Sequence, residues 1–249
     1  MQPLKSANYM LLLCLSGSVV FSQEPDPIST ERPSFSSSPI AIANGTWQFE
    51  FGYQYSMDDD GASVEDHILP LLLIRTGVTD RIELQINWPG YSWTDVNGSS
   101  GHGANDVGIG VKWEVSDPGA ATPIGIFAGL TLPVGSSDIS TDEAEPVLGF
   151  FWSHSGRISL FGTVLFTEVG NDSVINNAIG LDFQLPGTTG AYVEYLITAQ
   201  EGSGPEHSLG GGISFLRSND LQFDVNAGIG LNGQATDFYI GVGAARRFK

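Results

Sequence analysis

The 249-residue chain carries 28 Asp and Glu against 10 Lys and Arg, a formal charge of −18 with a pI near 4.2, which excludes nucleic acid as a partner because phosphates demand a basic surface. Only 15% of residues are charged, 32 are glycine and the mean hydropathy is +0.02, unlike a disordered acidic protein and too polar for a bundle of membrane helices. Beyond the first two dozen residues no apolar run approaches the ~20 residues of a spanning helix, so a membrane, if one is met, is crossed by strands.

Residues 1–22 read as a secretory signal: Lys5 precedes an apolar run from Tyr9 to Cys14, and Val20-Phe21-Ser22 closes it. Cleavage is expected near Ser22. Cys14 is the sole cysteine and follows Leu13, where a lipoprotein signal needs a small residue. The exported chain then has no thiol for a disulfide, a metal or nucleophilic catalysis. Residues 23–45, rich in Pro, Ser and Thr, read as an irregular periplasmic segment ahead of a single barrel domain at 46–249.

The pattern changes at Gly45. From Trp47 to Tyr55 the odd positions are Trp47, Phe49, Phe51, Tyr53 and Tyr55, and the even ones Gln48, Glu50, Gly52 and Gln54. This period of two is what a strand needs between lipid and a wet lumen. It recurs at 81–88 (Ile82, Leu84, Ile86 and Trp88 against Arg81, Glu83, Gln85 and Asn87), at 106–115 and at 221–231. Weaker versions lie near 67–76, 123–133, 146–153, 158–168, 177–185, 191–200, 207–217 and 237–248. The sum is an all-β fold, a closed antiparallel transmembrane β-barrel of about 12 strands. Short turns at 77–80, 117–122, 153–156, 186–190 and 218–220 alternate with generally longer loops at 57–66, 93–104, 134–145, 171–175, 201–206 and 232–236, the asymmetry of periplasmic turns and extracellular loops in an outer membrane. Glycine pairs such as Gly108/Gly110, Gly228/Gly230 and Gly241/Gly243 fall on the lumen parity, where they are expected to leave space and permit curvature.

Several stretches resemble one family, the outer-membrane transporters labelled MetA-pathway of phenol degradation. They are Ser29-Thr30-Glu31-Arg32-Pro33-Ser34-Phe35 before the first strand, Leu73–Leu84 across a hairpin, Asp106–Lys112, Leu132-Pro133-Val134-Gly135, and the terminal Arg247-Phe248. Glu31 stands where the family pattern has Asp, and Lys249 follows the terminal phenylalanine that barrel-assembly machinery favours. The resemblance implies a transporter, with apolar or aromatic solutes as the class its label suggests.

Gly228–Gly233 spells the dinucleotide fingerprint GxGxxG, yet it lies in an alternating strand with no helical pattern after it. His67, His102, His154 and His207 fall in separate turns without ligand spacing, and the adjacent His207 and Ser208 point to opposite faces. No catalytic group, cofactor or metal follows from these residues. The acidic clusters Asp58–Asp60 and Asp142-Glu143-Glu145 read as solvated outer loops, with weak divalent binding as the other reading. The functional candidates are the lumen-parity charges Glu50, Arg75, Arg81, Glu83, Lys112, Glu114, Asp182, Glu194, Asp224 and Arg247, since a charge facing lipid at mid-bilayer costs roughly 2–4 kcal/mol. They either pack the interior as ion-pair ladders or line a constriction. The expected function is a passive channel for small solutes in a Gram-negative-type outer membrane, and not an enzyme. A packed structural or adhesive barrel and a soluble β-sandwich are the alternatives. Outer-membrane lipid, the assembly machinery through Phe248 and an unidentified solute are the expected partners. Whether residues 23–45 plug the lumen is open.

Overall fold

The computed structural model describes residues 26–249 apart from 142, 157, 170 and 171; the expected signal at 1–22 lies outside the described residues. Fifteen strands form one antiparallel sheet: β1 (Trp47–Asp58), β2 (Val64–Leu69), β3 (Leu72–Gly77), β4 (Ile82–Trp88), β5 (Tyr91–Val96), β6 (Ser99–Ala104), β7 (Val107–Glu114), β8 (Ile124–Leu132), β9 (Glu145–His154), β10 (Ser159–Val169), β11 (Asp172–Gln184), β12 (Thr189–Gln200), β13 (Glu206–Ser218), β14 (Leu221–Gly230) and β15 (Phe238–Phe248). The sheet closes on itself, β15 pairing with β1 so that Gly52 lies opposite Gly243. Closure removes the edges that so strand-rich a chain would otherwise expose. Among the described residues there is no helix.

β1 pairs through Trp47–Glu50 with β3 and through Gln54–Asp58 with β2, so β2 and β3 are halves of one span. β4 with β5 and β6 with β7 are halves of the next two. The barrel therefore has 12 spans.

Its surface is the inverse of a soluble protein's. Trp47, Phe51, Ile86, Trp113, Val225 and Ile240 are 41–49% exposed on the outside, while Gln48, Glu50, Arg75, Glu83 and Lys112 are fully buried within. Apolar side chains accept that position only against lipid. The β-sandwich alternative is thereby overturned: it requires the aromatic face of Trp47–Tyr55 to be covered by a second sheet, and here that face is the outer coat.

The three divided spans share a device. The inward parity passes from Ile68 to Leu73, from Asn87 to Ser92 and from Gly103 to Gly108, a one-residue slip that turns each strand over as a bulge does. The slips stack. The Asn105 N–H donates to Gly90 O at 2.8 Å, and Gly90, at φ +81°, lies so close to the preceding span that a Cβ there would be 2.2 Å from Pro70 O. Beyond them β2, β5 and β6 form a three-stranded extension of the sheet, with β6 at its end.

The loop expected at 93–104 is thus corrected to a hairpin, β5–β6, whose turn Asn97-Gly98 has φ of 52° and 84°. Positive φ at both residues is the type I′ requirement, which an Asn-Gly pair meets. The outer loop after β8 folds over the inner face of this hairpin, its Ser136 Oγ accepting the Ala104 N–H at 2.9 Å and its Gly135 N–H donating to Asp106 at 2.7 Å.

A charge on the coat tests the assignment of faces. Val225→Arg is expected to destabilise the barrel by roughly 2–4 kcal/mol, read as a lower urea midpoint for unfolding from liposomes.

Candidate functional site

Backbone without secondary structure must find partners for its N–H and C=O groups wherever it is buried. Residues 26–45 are such backbone, and they lie inside the barrel. The segment is fastened at the rim where the chain ends meet: the Ile28 N–H donates to Asn219 O, and Arg247 donates to Asp26 O. It then runs once round the inner wall. Gln48 and Arg75 donate to Ser29 O at 2.8 Å each, and Glu50 accepts the N–H groups of Glu31 and Arg32 at 3.0–3.1 Å. Arg32 crosses to Asp224 at 3.3 Å, Tyr192 and Asn226 donate to Pro33 O, and Glu194 accepts from Phe35 and Ser36. Thr163 accepts from Ser37, Glu114 from Ala41 and Glu83 from Ile42, before Gly45 meets Gly77 beside β1. This belt touches β14, β12, β10, β7, β4 and β3 in turn. Hydrogen bonds to charged groups contribute about 1.5–3 kcal/mol each, so the wall glutamates hold it firmly.

One side of the belt is an ionic cluster. Arg75 grips Glu83 through two hydrogen bonds of 2.9 Å and reaches Glu50 at 3.3 Å and Glu31 at 2.9 Å, while Lys112 pairs with Glu31 and with Glu83 at 3.3 Å. Glu31 also accepts the Ser38 N–H at 3.1 Å. Its side chain is 9% exposed and the other four are fully buried. Buried charges are tolerated only when paired and hydrogen-bonded throughout, and here three carboxylates share two cations and the belt's amides.

The other side is aromatic. At six lumen-parity glycines the space that the sequence suggested is taken by an aromatic ring from the same or another strand. Tyr239 covers Gly210 and Gly228, Phe161 covers Gly180, Phe127 covers Gly110 and Gly129, and Tyr192 covers Gly212. A Cβ on Gly228 would stand 2.2 Å from the Tyr239 ring. Between this wall and belt residues 30–39 lies a cavity of about 310 Å³, bordered by Ser153, Ser155, Ser159, Phe161, Asp182, Tyr192 and Ser214.

Of the ten candidates, Glu50, Arg75, Glu83, Lys112, Glu114, Glu194 and Asp224 are buried against or beside the belt. Asp182 faces the cavity. Arg81 and Arg247 lie at the rim, Arg81 donating to Glu114 O, Val115 O and Ser116 O, and Arg247 forming an ion pair with Asp220 at 2.7 Å. Sequence reasoning missed Gln48, Thr163, Tyr192 and Asn226, all on lumen parity but uncharged, and the belt's own Glu31 and Arg32. The histidines are spread: His67 bonds Tyr53, His154 bonds Thr122 and His207 bonds Tyr195. Asp58 and Asp60 meet Asp237, a third carboxylate the sequence does not single out, with oxygens within 4.8 Å.

A closed 12-span antiparallel sheet, lipid-coated outside and charged within, is the architecture of an outer-membrane β-barrel. The chain belongs to the family described as putative MetA-pathway of phenol degradation, whose model matches residues 30–248. No curated protein matches it. Among solved structures, an outer membrane channel from Pseudomonas putida F1 is similar at 13% identity and a TM-score of 0.64, covering 87% of this chain and 100% of its own. The NanC porin (7%, TM-score 0.54, 80% and 98%) and the KdgM porin (12%, TM-score 0.50, 80% and 99%) are also similar. At these identities the likeness is one of fold.

The ionic cluster is testable by removing its principal cation. Arg75→Met leaves Glu31, Glu50 and Glu83 with Lys112 alone, and is expected to cost about 3–5 kcal/mol, seen as a lower temperature for the heat-induced shift on a gel.

Proposed function

We propose that the chain is a passive channel of a Gram-negative-type outer membrane, exported by the segment at 1–22 and inserted with Phe248 presented to the assembly machinery. The single observation that carries this reading is the lopsided lumen. The lumen carboxylates other than Asp182 are consumed in holding the belt or its ion pairs, while the side that carries the rings keeps a cavity bordered by Phe161 and Tyr192 among serines. Small apolar or aromatic solutes suit such a wall, because Phe and Tyr faces offer them apolar contact without an obligatory hydrogen bond. The transport step needs no bond-making chemistry and no cofactor.

Charge is distributed along the axis as well. Among the described residues no Lys or Arg lies in the outer loops or in β2, β5 or β6, whereas Asp58, Asp60, Glu65, Asp95, Glu206 and Asp237 do, or border them. A mouth of one sign concentrates ions of the other, so cations are favoured over anions.

A second reading, a sealed barrel whose outer loops do the work, is favoured by one observation: the belt makes a complete lap. Arg32 separates the two. Its side chain is held by two bonds of 3.3 Å, to Asp224 and to Val242 O, with Arg32 Nε and Asp224 Oδ2 both unpartnered, so it is a loosely held fastening on the circuit. In planar bilayers the refolded protein is expected to give unit conductance steps preferring K⁺ over Cl⁻. The preference should shrink as salt rises from about 0.1 M to about 1 M, where the Debye length falls from ~10 to ~3 Å. Arg32→Ala should enlarge the steps. Silence from both proteins would establish the sealed barrel.

A further inference from the structure

We propose that the cavity beside the belt is a binding site for a small primary amine with a single aromatic ring, its ammonium on Asp182 and its ring against Phe161 and Tyr192. The inference deepens the channel reading and rests on it only for how the amine arrives.

Asp182 differs from the other lumen carboxylates in having nothing to hold. Glu50, Glu83, Glu114 and Glu194 accept belt N–H groups, and Asp224 accepts from Arg32. Asp182 makes no hydrogen bond or ion pair among the described residues, although it borders the cavity. The cavity's other charged borders are committed elsewhere, Glu31 to Lys112 and Arg75 and Arg32 to Asp224. The charge left to the cavity among the described residues is therefore a single negative one.

The surroundings match an ammonium group. Asp182 lies on β11 directly opposite Ser159 of β10 and Tyr192 of β12. A primary ammonium has three donors to satisfy; the carboxylate takes one, and the hydroxyls of Ser159 and Ser214 are among the acceptors offered to the others. The Phe161 and Tyr192 rings, with centroids 6.4 Å apart and planes at 60°, present apolar surface and a ring quadrupole that attracts a cation. A volume of about 310 Å³ is at the lower end of the range of ligand pockets, roughly 300–1,000 Å³, which selects a one-ring molecule.

The experiment measures binding to the full barrel in detergent, independent of conduction, by ligand-observed NMR with benzylamine, benzyl alcohol and benzoate. Benzylamine is expected to bind, benzyl alcohol at least tenfold more weakly, and benzoate not at all. Asp182→Asn should weaken benzylamine at least tenfold and leave benzyl alcohol unchanged, in protein whose heat-modifiable gel shift shows it folded. Equal binding of benzoate and benzylamine by the wild type, or an Asp182→Asn variant that binds benzylamine as before, overturns the proposal. If the variant does not fold, the wild-type series decides alone. Binding of benzylamine by a barrel that never conducts would sustain this site while sinking the channel.

Discussion

Everything inside this barrel follows from the need of irregular backbone for hydrogen-bond partners. A proline- and serine-rich segment has no ladder of its own, and placed in a lumen it has little water to fall back on. The wall answers with carboxylates, the side chains that accept several N–H groups at once. That accounts for an otherwise odd composition: glutamates buried at 0–7% exposure in a protein with few cations. Glu50 and Glu83 are neutralised by Arg75 or Lys112 as well as by amides, whereas Glu114 and Glu194 accept belt amides without an ion pair to either cation. The charged interior is thus the counterpart of the segment it encloses.

The same interior shows a division of labour round the circumference. The ionic cluster gathers on β1, β3, β4 and β7, the rings that cover glycine on β8, β10, β12 and β15, and the three stacked slips fall on the side of the cluster. The slips divide three spans and set off the three-stranded extension of β2, β5 and β6, while β8–β15 run as undivided strands.

The sequence disclosed what depends on a single strand and concealed what depends on two. Leu221–Gly230 alternates without interruption because nothing breaks its parity, and parity alone places Glu50, Glu83 and Lys112 in the lumen. The span around 67–76 looked weak because its parity reverses at Pro70, so two good half-strands read as one poor one. The 93–104 stretch read as a loop because its hairpin carries Ser, Thr and Gly where a membrane strand carries apolar residues, although Asn97-Gly98 announced the turn. Glycine misled for a related reason: which ring covers Gly228 or Gly180 depends on cross-strand register, and one strand does not report it. The belt was the least legible part, since a segment without period gives no sign of which wall it will follow.

Gly52 and Gly243 face each other where the first strand meets the last, and the Arg32 side chain occupies the room above both. The belt thus bridges the seam from within, bound to Glu50 on one side and to Asp224 and Val242 O on the other. A cylinder zipped from a linear chain has one joint whose halves are farthest apart in sequence and slowest to find each other. Here the belt ties that joint from within, so the segment that occupies the lumen is also a brace across the seam of the wall.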